Sequence, residues 1–311
     1  MGGSSVGELD RVVAVDWSGD KGPGQRKKIW AGVWTRGAGR TAGGRVTLET
    51  GRTRAELTEW LVGLAKETPR MVVGMDCCFS YPSWFLRECG CSTVFEFWEY
   101  VAGGCGERWL GTTCAEEERD LRFWGRPHKR PAEFSGPGYA SMMRATDWEN
   151  KVAQGLEGGD PVRAALMKGV QPKSPFQIGG AGAVGTGSLR AMEWLMRLRE
   201  GGFRVWPFED FSEGRPLLVE MYTRLLTGPV AKSNPSARKA YLKARKMAEP
   251  GLYGGLARSV VVGAEGSEDG FDALVCCLEM VRWQTEFAGL RRATDETLKL
   301  EGITWRPGVS S

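Results

Sequence analysis

The stretch VVAVDWSG, residues 12–19, places an aspartate directly after four apolar residues. An unbroken apolar run such as 12–15 is typical of a buried strand. Asp16 follows at the end of that strand, although an ionised carboxylate is costly to bury without a partner. We therefore expect Asp16 to meet a cation, and the rest of the chain indicates how.

The elements after this stretch follow the order of a mixed sheet. The residue pattern predicts strands over residues 12–17, 28–35, 45–50 and 71–75, with a helix over residues 54–67 before the last of them. Thr53 and Glu56 have the spacing of a capping box at the start of that helix. Because a helix that crosses to a parallel strand returns beside the first strand, Asp16 and Asp76 are expected on neighbouring strands.

The remainder of the chain completes one domain over residues 1–311. Residues 79–174 have weak periodicity and predict an insertion or lid within that domain. Further elements are predicted as helices over residues 188–199, 236–247 and 269–288 and a strand over residues 217–223. The expected fold class is therefore α/β, with a mixed five-stranded sheet of order 3-2-1-4-5 flanked by helices and a large insertion after the fourth strand.

Five acids are candidates for a catalytic site: Asp16, Asp76, Asp269, Asp272 and Glu220. Asp269 and Asp272 share one helix face, although acids in a first helical turn also simply favour the helix dipole. Clustered carboxylates repel one another unless cations neutralise them, and such hard oxygen ligands suit Mg²⁺ or Mn²⁺. Two ions about 4 Å apart can activate water and stabilise the leaving oxygen of a phosphodiester. Asp16, Asp76 and Asp272 are the predicted metal ligands.

Five motifs carry a family resemblance. They are VVAVDWSG, VVGMDCCFSYP, SPFQIGGAGAVGTGSLRAMEWLMRLR, LLVEMYTRL and EDGFDALVCCLEM. Together they are similar to the family called domain of unknown function 429, whose members are described as predicted nucleases of the ribonuclease H-like superfamily. The closing Asp269-x-x-Asp272 resembles Holliday-junction resolvases of that superfamily. The resemblance implies a ribonuclease H-like fold and a metal-dependent nuclease site, while Asp76-Cys77-Cys78 departs from the family's usual loop.

Two basic stretches are candidates for nucleic-acid binding. In RFWGRPHKR, residues 122–130, cations alternate with Phe123 and Trp124, which suits phosphate contact with base stacking or a solvated loop with two packed aromatics. A second run around residues 232–246 either follows phosphates or forms a solvated helix face. The predicted binding residues are Arg126, Lys129, Arg130, Lys232, Arg238 and Lys239.

Composition limits the remaining classes of protein. The 311 residues are 41% hydrophobic with a formal charge of +4, so only local patches argue for a nucleic-acid partner. The polar N-terminus predicts no signal peptide, and no apolar run reaches the ~18 residues of a membrane helix, so a cytoplasmic protein is expected. Eight cysteines without paired zinc-ligand spacing favour free thiols over zinc or disulfides.

Other functions stay open at this point. The sequence DWSG loosely resembles the phosphate loop of actin-like sugar kinases and ATPases, which need two copies of the fold around a nucleotide. A non-catalytic nucleic-acid-binding module of the same fold would keep the basic stretches without turnover. The spacing Gly180-x-Gly182-x-x-Gly185 precedes a helix, as in dinucleotide sites, but no βαβ unit surrounds it.

Overall fold

A mixed six-stranded sheet forms the centre of the molecule. The computed structural model describes residues 9–37, 44–125, 128–147 and 172–309. The strands are β1 (Arg11–Asp16), β2 (Trp30–Thr35), β3 (Arg45–Thr50), β4 (Met71–Met75), β5 (Arg204–Trp206) and β6 (Leu217–Glu220). Their order in the sheet is β3-β2-β1-β4-β6-β5. The pairs β1–β2 and β2–β3 are antiparallel, whereas β1, β4, β6 and β5 run parallel.

The predicted α/β class with a mixed sheet and flanking helices is confirmed, but the five-stranded count and order were wrong. The additional strand β5 has only three residues, too few for a periodic pattern, and it pairs with β6 at the sheet edge. Since β5 precedes β6 in the chain, the predicted fifth strand is the sixth. It also ends at Glu220 rather than Thr223, where a short helix begins.

Helices cover both faces of this sheet. They are α1 (Gln25–Lys28), α2 (Arg54–Glu67), α3 (Ser83–Glu88), α4 (Val94–Tyr100), α5 (Gly106–Trp109), α6 (Gly185–Glu200), α7 (Thr223–Thr227), α8 (Pro235–Ala248), α9 (Pro250–Tyr253), α10 (Arg258–Gly266), α11 (Glu268–Arg282) and α12 (Leu298–Glu301). The capping box of Thr53 and Glu56 is present at the start of α2. The last long helix ends at Arg282, and a short 3-10 helix, Gln284–Gly289, follows it.

Alternating side chains of the sheet build two cores. Val13, Val15 and Val73 pack on one face with α2 and α6, whereas Val12 and Ala14 pack on the other face with α11. The described part of the segment 79–174 belongs to the first core. Its contribution is largely aromatic and includes Tyr81, Phe85, Phe97, Trp98 and Phe123. This segment therefore packs against the same sheet that carries the candidate site.

Two properties of the chain bear on its environment. Within the described ranges, no helix is both long enough and apolar enough to cross a membrane. All eight cysteines are free thiols.

Candidate functional site

Asp16 and Asp76 lie side by side at the carboxyl ends of β1 and β4. The two strands are parallel, with Val15 opposite Met75, and the backbone N–H of Asp76 donates to the Val15 carbonyl oxygen at 3.0 Å. Each aspartate occupies the point where its strand ends, so a rigid sheet holds both carboxylates. This agrees with the placement expected from the crossover between the first and fourth strands.

Helix α11 brings Asp272 to the same edge of the sheet. A Cβ on Gly32 of β2 would lie 2.3 Å from the Ala273 carbonyl oxygen, so glycine is needed for the helix to approach this closely. Asp272 is fully buried, whereas Asp269, one turn earlier, remains partly exposed. The charges of Asp272, Asp76 and Asp269 all act on Asp16. We call Asp16, Asp76 and Asp272 the acid cluster.

Burial makes ionisation of the acid cluster unfavourable. Loss of water contact raises the pKa of Asp16 well above its ordinary value, and the neighbouring carboxylates of Asp272 and Asp76 raise it further. Burial also raises the pKa of Asp76 to about 7, against the opposing effect of the Lys232 charge. The Oδ1 atom of Asp272 is buried and has no hydrogen-bond partner. The cluster therefore contains more negative charge than its protein partners compensate.

Lys232 is a cation inside the cluster rather than on the surface. Its Nζ atom donates to Asp272 Oδ2, and it lies 3.7 Å from Glu268 Oε1. Burial alone would lower the pKa of Lys232, but the Asp272 carboxylate beside it raises the pKa overall. This residue was predicted to bind nucleic acid, and the structure instead directs its ammonium group to an aspartate.

The donor atoms of the cluster suit a hard divalent ion. They are carboxylate oxygens, and one of them, Asp272 Oδ1, is buried without a partner. As the side chains stand, no group of three or more His, Cys, Asp or Glu residues within the described ranges is arranged to hold a metal ion by itself. The type of ligand therefore fits Mg²⁺ or Mn²⁺, whereas the local space is shared with the Lys232 ammonium.

Glu220 belongs to a different group of buried polar side chains. Its Oε1 atom accepts from Arg144 Nη2 at 2.5 Å and from Thr304 Oγ1 at 2.7 Å, and its Oε2 atom accepts from the Phe79 N–H at 2.7 Å. Arg144 also pairs with Asp147, with Nε 2.8 Å from Oδ2. We call Arg144, Asp147, Glu220 and Thr304 the arginine network. Both oxygens of Glu220 are occupied there, so it is not a fourth member of the acid cluster.

An open cleft of about 530 Å³ is lined by Asp76 of the acid cluster and by all four residues of the arginine network. Its wall carries four acids and four cations: Asp20, Asp76, Asp147 and Glu220, and Lys28, Arg144, Lys173 and Arg190. Backbone of two glycine-containing segments, residues 17–20 and 178–187, forms much of the remaining surface. The cleft therefore contains both signs of charge, and three of its cations pair with acids: Lys28 with Asp20, Arg144 with Glu220 and Arg190 with Glu107.

The two glycine-containing segments are fixed to each other. A Cβ on Gly19 would lie 2.6 Å from the Gly187 backbone nitrogen, so only glycine permits this contact. Trp17 Nε1 donates to the Gly187 carbonyl oxygen at 3.1 Å. Arg54 Nη1 donates to the carbonyl oxygens of Ser18 and Asp20 at 3.1 Å and 2.6 Å. The first turn of α6 is therefore packed against the segment that follows β1.

The predicted nucleic-acid-binding residues fall into distinct environments. Lys129, Arg130 and Lys239 are exposed, and Arg126 lies outside the described residues. Arg238 is buried, because its guanidinium donates to the carbonyl oxygens of Glu265 and Lys232. That prediction was wrong for Arg238, which is unavailable to a phosphate.

The aromatic residues of the first basic stretch are core residues. Phe123 and Trp124 are buried, and the ring of Phe123 stacks on Trp109 with centroids 5.0 Å apart. Of the two alternatives left by the sequence, the structure therefore supports the packed aromatics and leaves no base-stacking surface at these two rings.

Three contributors to the site were not anticipated. Lys232 joins the acid cluster from a loop, Arg144 neutralises Glu220, and Thr223 lowers the pKa of the Asp76 and Asp272 carboxyl groups. The only signal in the sequence is that Thr223 closely follows the Glu220 strand. Lys232 and Arg144 both lie outside helices and strands, so the direction of their side chains could not be predicted from a periodic pattern.

Comparison with known proteins gives no match: no family model fits the chain, and no curated protein or solved structure is significantly similar to it. The likeness to domain of unknown function 429 and to the ribonuclease H-like superfamily therefore stays a prediction. The case for function depends on the residues of the site.

Proposed function

We propose that this protein is a metal-dependent phosphodiesterase that hydrolyses nucleic acid at the acid cluster. The supporting observation is that three carboxylates from separate elements act on one another, with one of them, Asp76, on the wall of an open cleft and one buried oxygen of Asp272 unpartnered. Carboxylates with raised pKa values and a specific charged partner in a cleft are typical of functional sites. The single histidine of the chain, His128, leaves few alternatives of the acid-base type.

The protein residues have separate tasks in this proposal. Asp16, Asp76 and Asp272 would hold Mg²⁺ or Mn²⁺, which when bound supplies Lewis-acid polarisation of a phosphate and lowers the pKa of water. The strand ends keep the Asp16 and Asp76 carboxylates in place without a reorganisation step. Asp269, partly exposed one turn before Asp272, extends the negative charge toward solvent.

Cations in the cleft support a phosphate-bearing substrate. Lys173 and Lys28, which also pairs with Asp20, line the same cleft as Asp76, and the first turn of α6 also faces the cleft. A helix N-terminus carries partial positive charge and favours phosphate nearby. Exposed Lys129, Arg130 and Lys239 would add contacts with the backbone of a longer strand.

The direct test compares two aspartates at opposite ends of β1. Purified wild-type protein, Asp16→Asn and Asp10→Asn are incubated with labelled single-stranded and duplex DNA and RNA, with Mn²⁺ or with chelator. Asp10 pairs with Arg70 at 2.7 Å, remote from the cluster, so this control should cleave as the wild type does. We expect metal-dependent cleavage that is lost in Asp16→Asn. Equal cleavage by folded Asp16→Asn would contradict the proposal.

The alternative kinase function makes a different prediction. Actin-like kinases bind nucleotide between two copies of their fold, and the described residues form one sheet. The DWSG segment is also packed against Gly187. Calorimetric titration with ATP and Mg²⁺ separates the two, since micromolar ATP affinity without nuclease activity would favour the kinase. Nucleic-acid binding without cleavage under any metal would favour a non-catalytic module.

A further inference from the structure

A second, smaller pocket shares part of its lining with the cleft. It has a volume of about 160 Å³, and Ile178, Gly179, Thr186 and Arg190 line both spaces. The volume corresponds to about five water molecules at roughly 30 Å³ each. The pocket therefore has room for a small polyatomic group such as a phosphate, which has five non-hydrogen atoms.

The loop that carries His128 is anchored beside this pocket. The Ile178 N–H donates to the Trp124 carbonyl oxygen at 2.8 Å, and the Gly125 N–H donates to the His128 carbonyl oxygen at 2.9 Å. A Cβ on Gly125 would lie 2.4 Å from the Gly179 backbone nitrogen, so glycine is needed for the two segments to approach this closely. The packing of these segments therefore fixes the backbone on two sides of the pocket.

The lining of the pocket is cationic. It includes Arg119, His128 and Arg190, and within the described ranges it includes no aspartate or glutamate. Arg190 pairs with Glu107 at 2.8 Å, but Glu107 also pairs with Lys21 at 2.7 Å, so two cations share this carboxylate. The surroundings of the pocket thus carry more positive than negative charge.

Arg119 is the cation of this pocket that lacks a carboxylate partner among the described residues. Its Nη1 atom lies 2.7 Å from His128 Nε2, and its Nη2 atom donates to the Gly111 carbonyl oxygen at 3.4 Å. A guanidinium has five N–H donors and no acceptor, so His128 must accept through Nε2 in this contact. The Nε atom of Arg119 is buried without a hydrogen-bond partner. The charge of a partly buried guanidinium is therefore left to neutral partners, and an anion would compensate it.

We propose that Arg119, His128 and Arg190 form a second binding site, which takes a phosphate group. A guanidinium presents its donors as a planar fork that matches two oxygens of one phosphate. The first turn of α6 lines the pocket through Thr186 and adds the partial positive charge of a helix N-terminus. Free phosphate and the terminal phosphate of a nucleic-acid strand in the adjoining cleft share this chemistry. The inference does not rest on the proposed nuclease function.

The single histidine of the chain allows a direct test. Inorganic phosphate is added to the full chain at fixed pH and ionic strength in the presence of a chelator. NMR follows the ring signals of His128, and calorimetry of the same titration measures the affinity. We expect a saturable shift of the His128 signals in the wild type and in the control Arg292→Met, because Arg292 is exposed and does not line the pocket.

The decisive variant is Arg119→Met, which removes the charge and the donors of the guanidinium. Its affinity for phosphate should fall about tenfold or more, as expected for loss of a hydrogen bond between charged groups. If Arg119→Met does not fold by circular dichroism, Arg119→Gln replaces it with the same expectation. Equal affinity of the folded variant and the wild type would overturn the inference.

Two oligonucleotides of one sequence, with a 5′-phosphate or a 5′-hydroxyl group, identify the source of the phosphate. Tighter binding of the phosphorylated strand than of inorganic phosphate or the hydroxyl strand would assign the pocket to a strand end. Equal binding of inorganic phosphate and the phosphorylated strand would assign it to free phosphate. If neither shifts the His128 signals saturably, the pocket is not a phosphate site. Because the chelator excludes metal-dependent cleavage, these results are independent of the acid cluster.

Discussion

Two groups of acids lie at the same end of one sheet, and they differ in how their charge is compensated. In the arginine network, both oxygens of Glu220 and both oxygens of Asp147 accept hydrogen bonds, with Arg144 as the shared donor. In the acid cluster, three carboxylates share one ammonium group, and Asp272 Oδ1 has no partner. Buried acids therefore indicate a ligand only where the protein leaves them incompletely paired.

The two groups begin from neighbouring strands. Asp76 follows β4 and Glu220 ends β6, and the two strands pair in parallel with Met75 opposite Glu220. Both acids follow buried apolar runs, so their local sequences look alike. The difference comes from the partners that the fold brings to them: Arg144 to Glu220, and two further aspartates to Asp76. The fully paired and the incompletely paired acids thus follow adjacent strands of one sheet.

Removing the arginine should produce the largest effect. Arg144→Met leaves the carboxylates of Glu220 and Asp147 buried without their cation, which should cost about 3–5 kcal/mol of unfolding free energy. Urea denaturation measures this loss, with Arg130→Met as the control because Arg130 is exposed. A loss below about 1 kcal/mol for Arg144→Met would show that the arginine network is not the compensated group that we describe.

A change at Gly32 should damage the acid cluster through packing. The Cβ of Gly32→Ala would meet the Ala273 carbonyl oxygen at 2.3 Å and move α11, with a cost of about 1–3 kcal/mol and weaker Mn²⁺ binding. Gly63→Ala is the control, since nothing lies within 4 Å of a Cβ there and α2 should gain about 0.5–1 kcal/mol. Unchanged Mn²⁺ affinity in Gly32→Ala would show that the position of α11 does not determine metal binding by the acid cluster.

Neutralising a member of the acid cluster should stabilise the metal-free protein. The folded pKa of Asp76 is raised to about 7, so the folded state takes up this proton before the unfolded state does. Wild-type stability in chelator should therefore rise as the pH falls from 8 to 5. The free energy of unfolding of Asp76→Asn should exceed that of the wild type by about 1 kcal/mol or more at pH 8, since a shift of one pKa unit corresponds to roughly that free energy. The difference should be smaller at pH 5.

The measurement is the free energy of unfolding of both proteins at each pH. Glu220→Gln gives the contrast, because loss of its charge removes the ion pair with Arg144 and should destabilise the fold at pH 8. If Asp76→Asn and Glu220→Gln change the free energy of unfolding in the same direction, the acid cluster and the arginine network do not differ in how their charge is compensated.

The smallest effect is expected at the exposed cations. Replacing Lys129 and Arg130 with alanine should leave the unfolding free energy within about 0.5 kcal/mol of the wild type. If both contact phosphates, binding of nucleic acid should weaken, and the slope of log affinity against log salt should fall by about 1 per cation removed. Fluorescence anisotropy at several salt concentrations measures the slope, and an unchanged slope would exclude this surface from binding.

The sequence predicts most of the sheet because its strands are long or strongly apolar. β1 and β4 are continuous apolar runs, and the crossover through α2 fixes them as parallel neighbours. This was enough to bring Asp16 and Asp76 together. β5 could not be found, since three residues do not define a period.

The charge balance of the site could not be predicted for a different reason. Lys232 and Arg144 both lie in irregular segments, and their roles depend on where side chains point rather than on strand or helix periodicity. Lys232 therefore looked like part of a basic surface, and Glu220 looked equivalent to Asp76. The burial of Arg238 could not be predicted, because it lies in a basic helix whose other cations are mostly exposed.

The central claim is that the incompletely paired carboxylates of the acid cluster bind a divalent ion. The most direct test is anomalous diffraction from crystals of the full chain soaked in Mn²⁺. We predict one anomalous peak bounded by Asp16, Asp76 and Asp272, with no peak at the arginine network. Crystals soaked to saturation that show no peak between these three aspartates, with Lys232 still bound to Asp272, would contradict the claim.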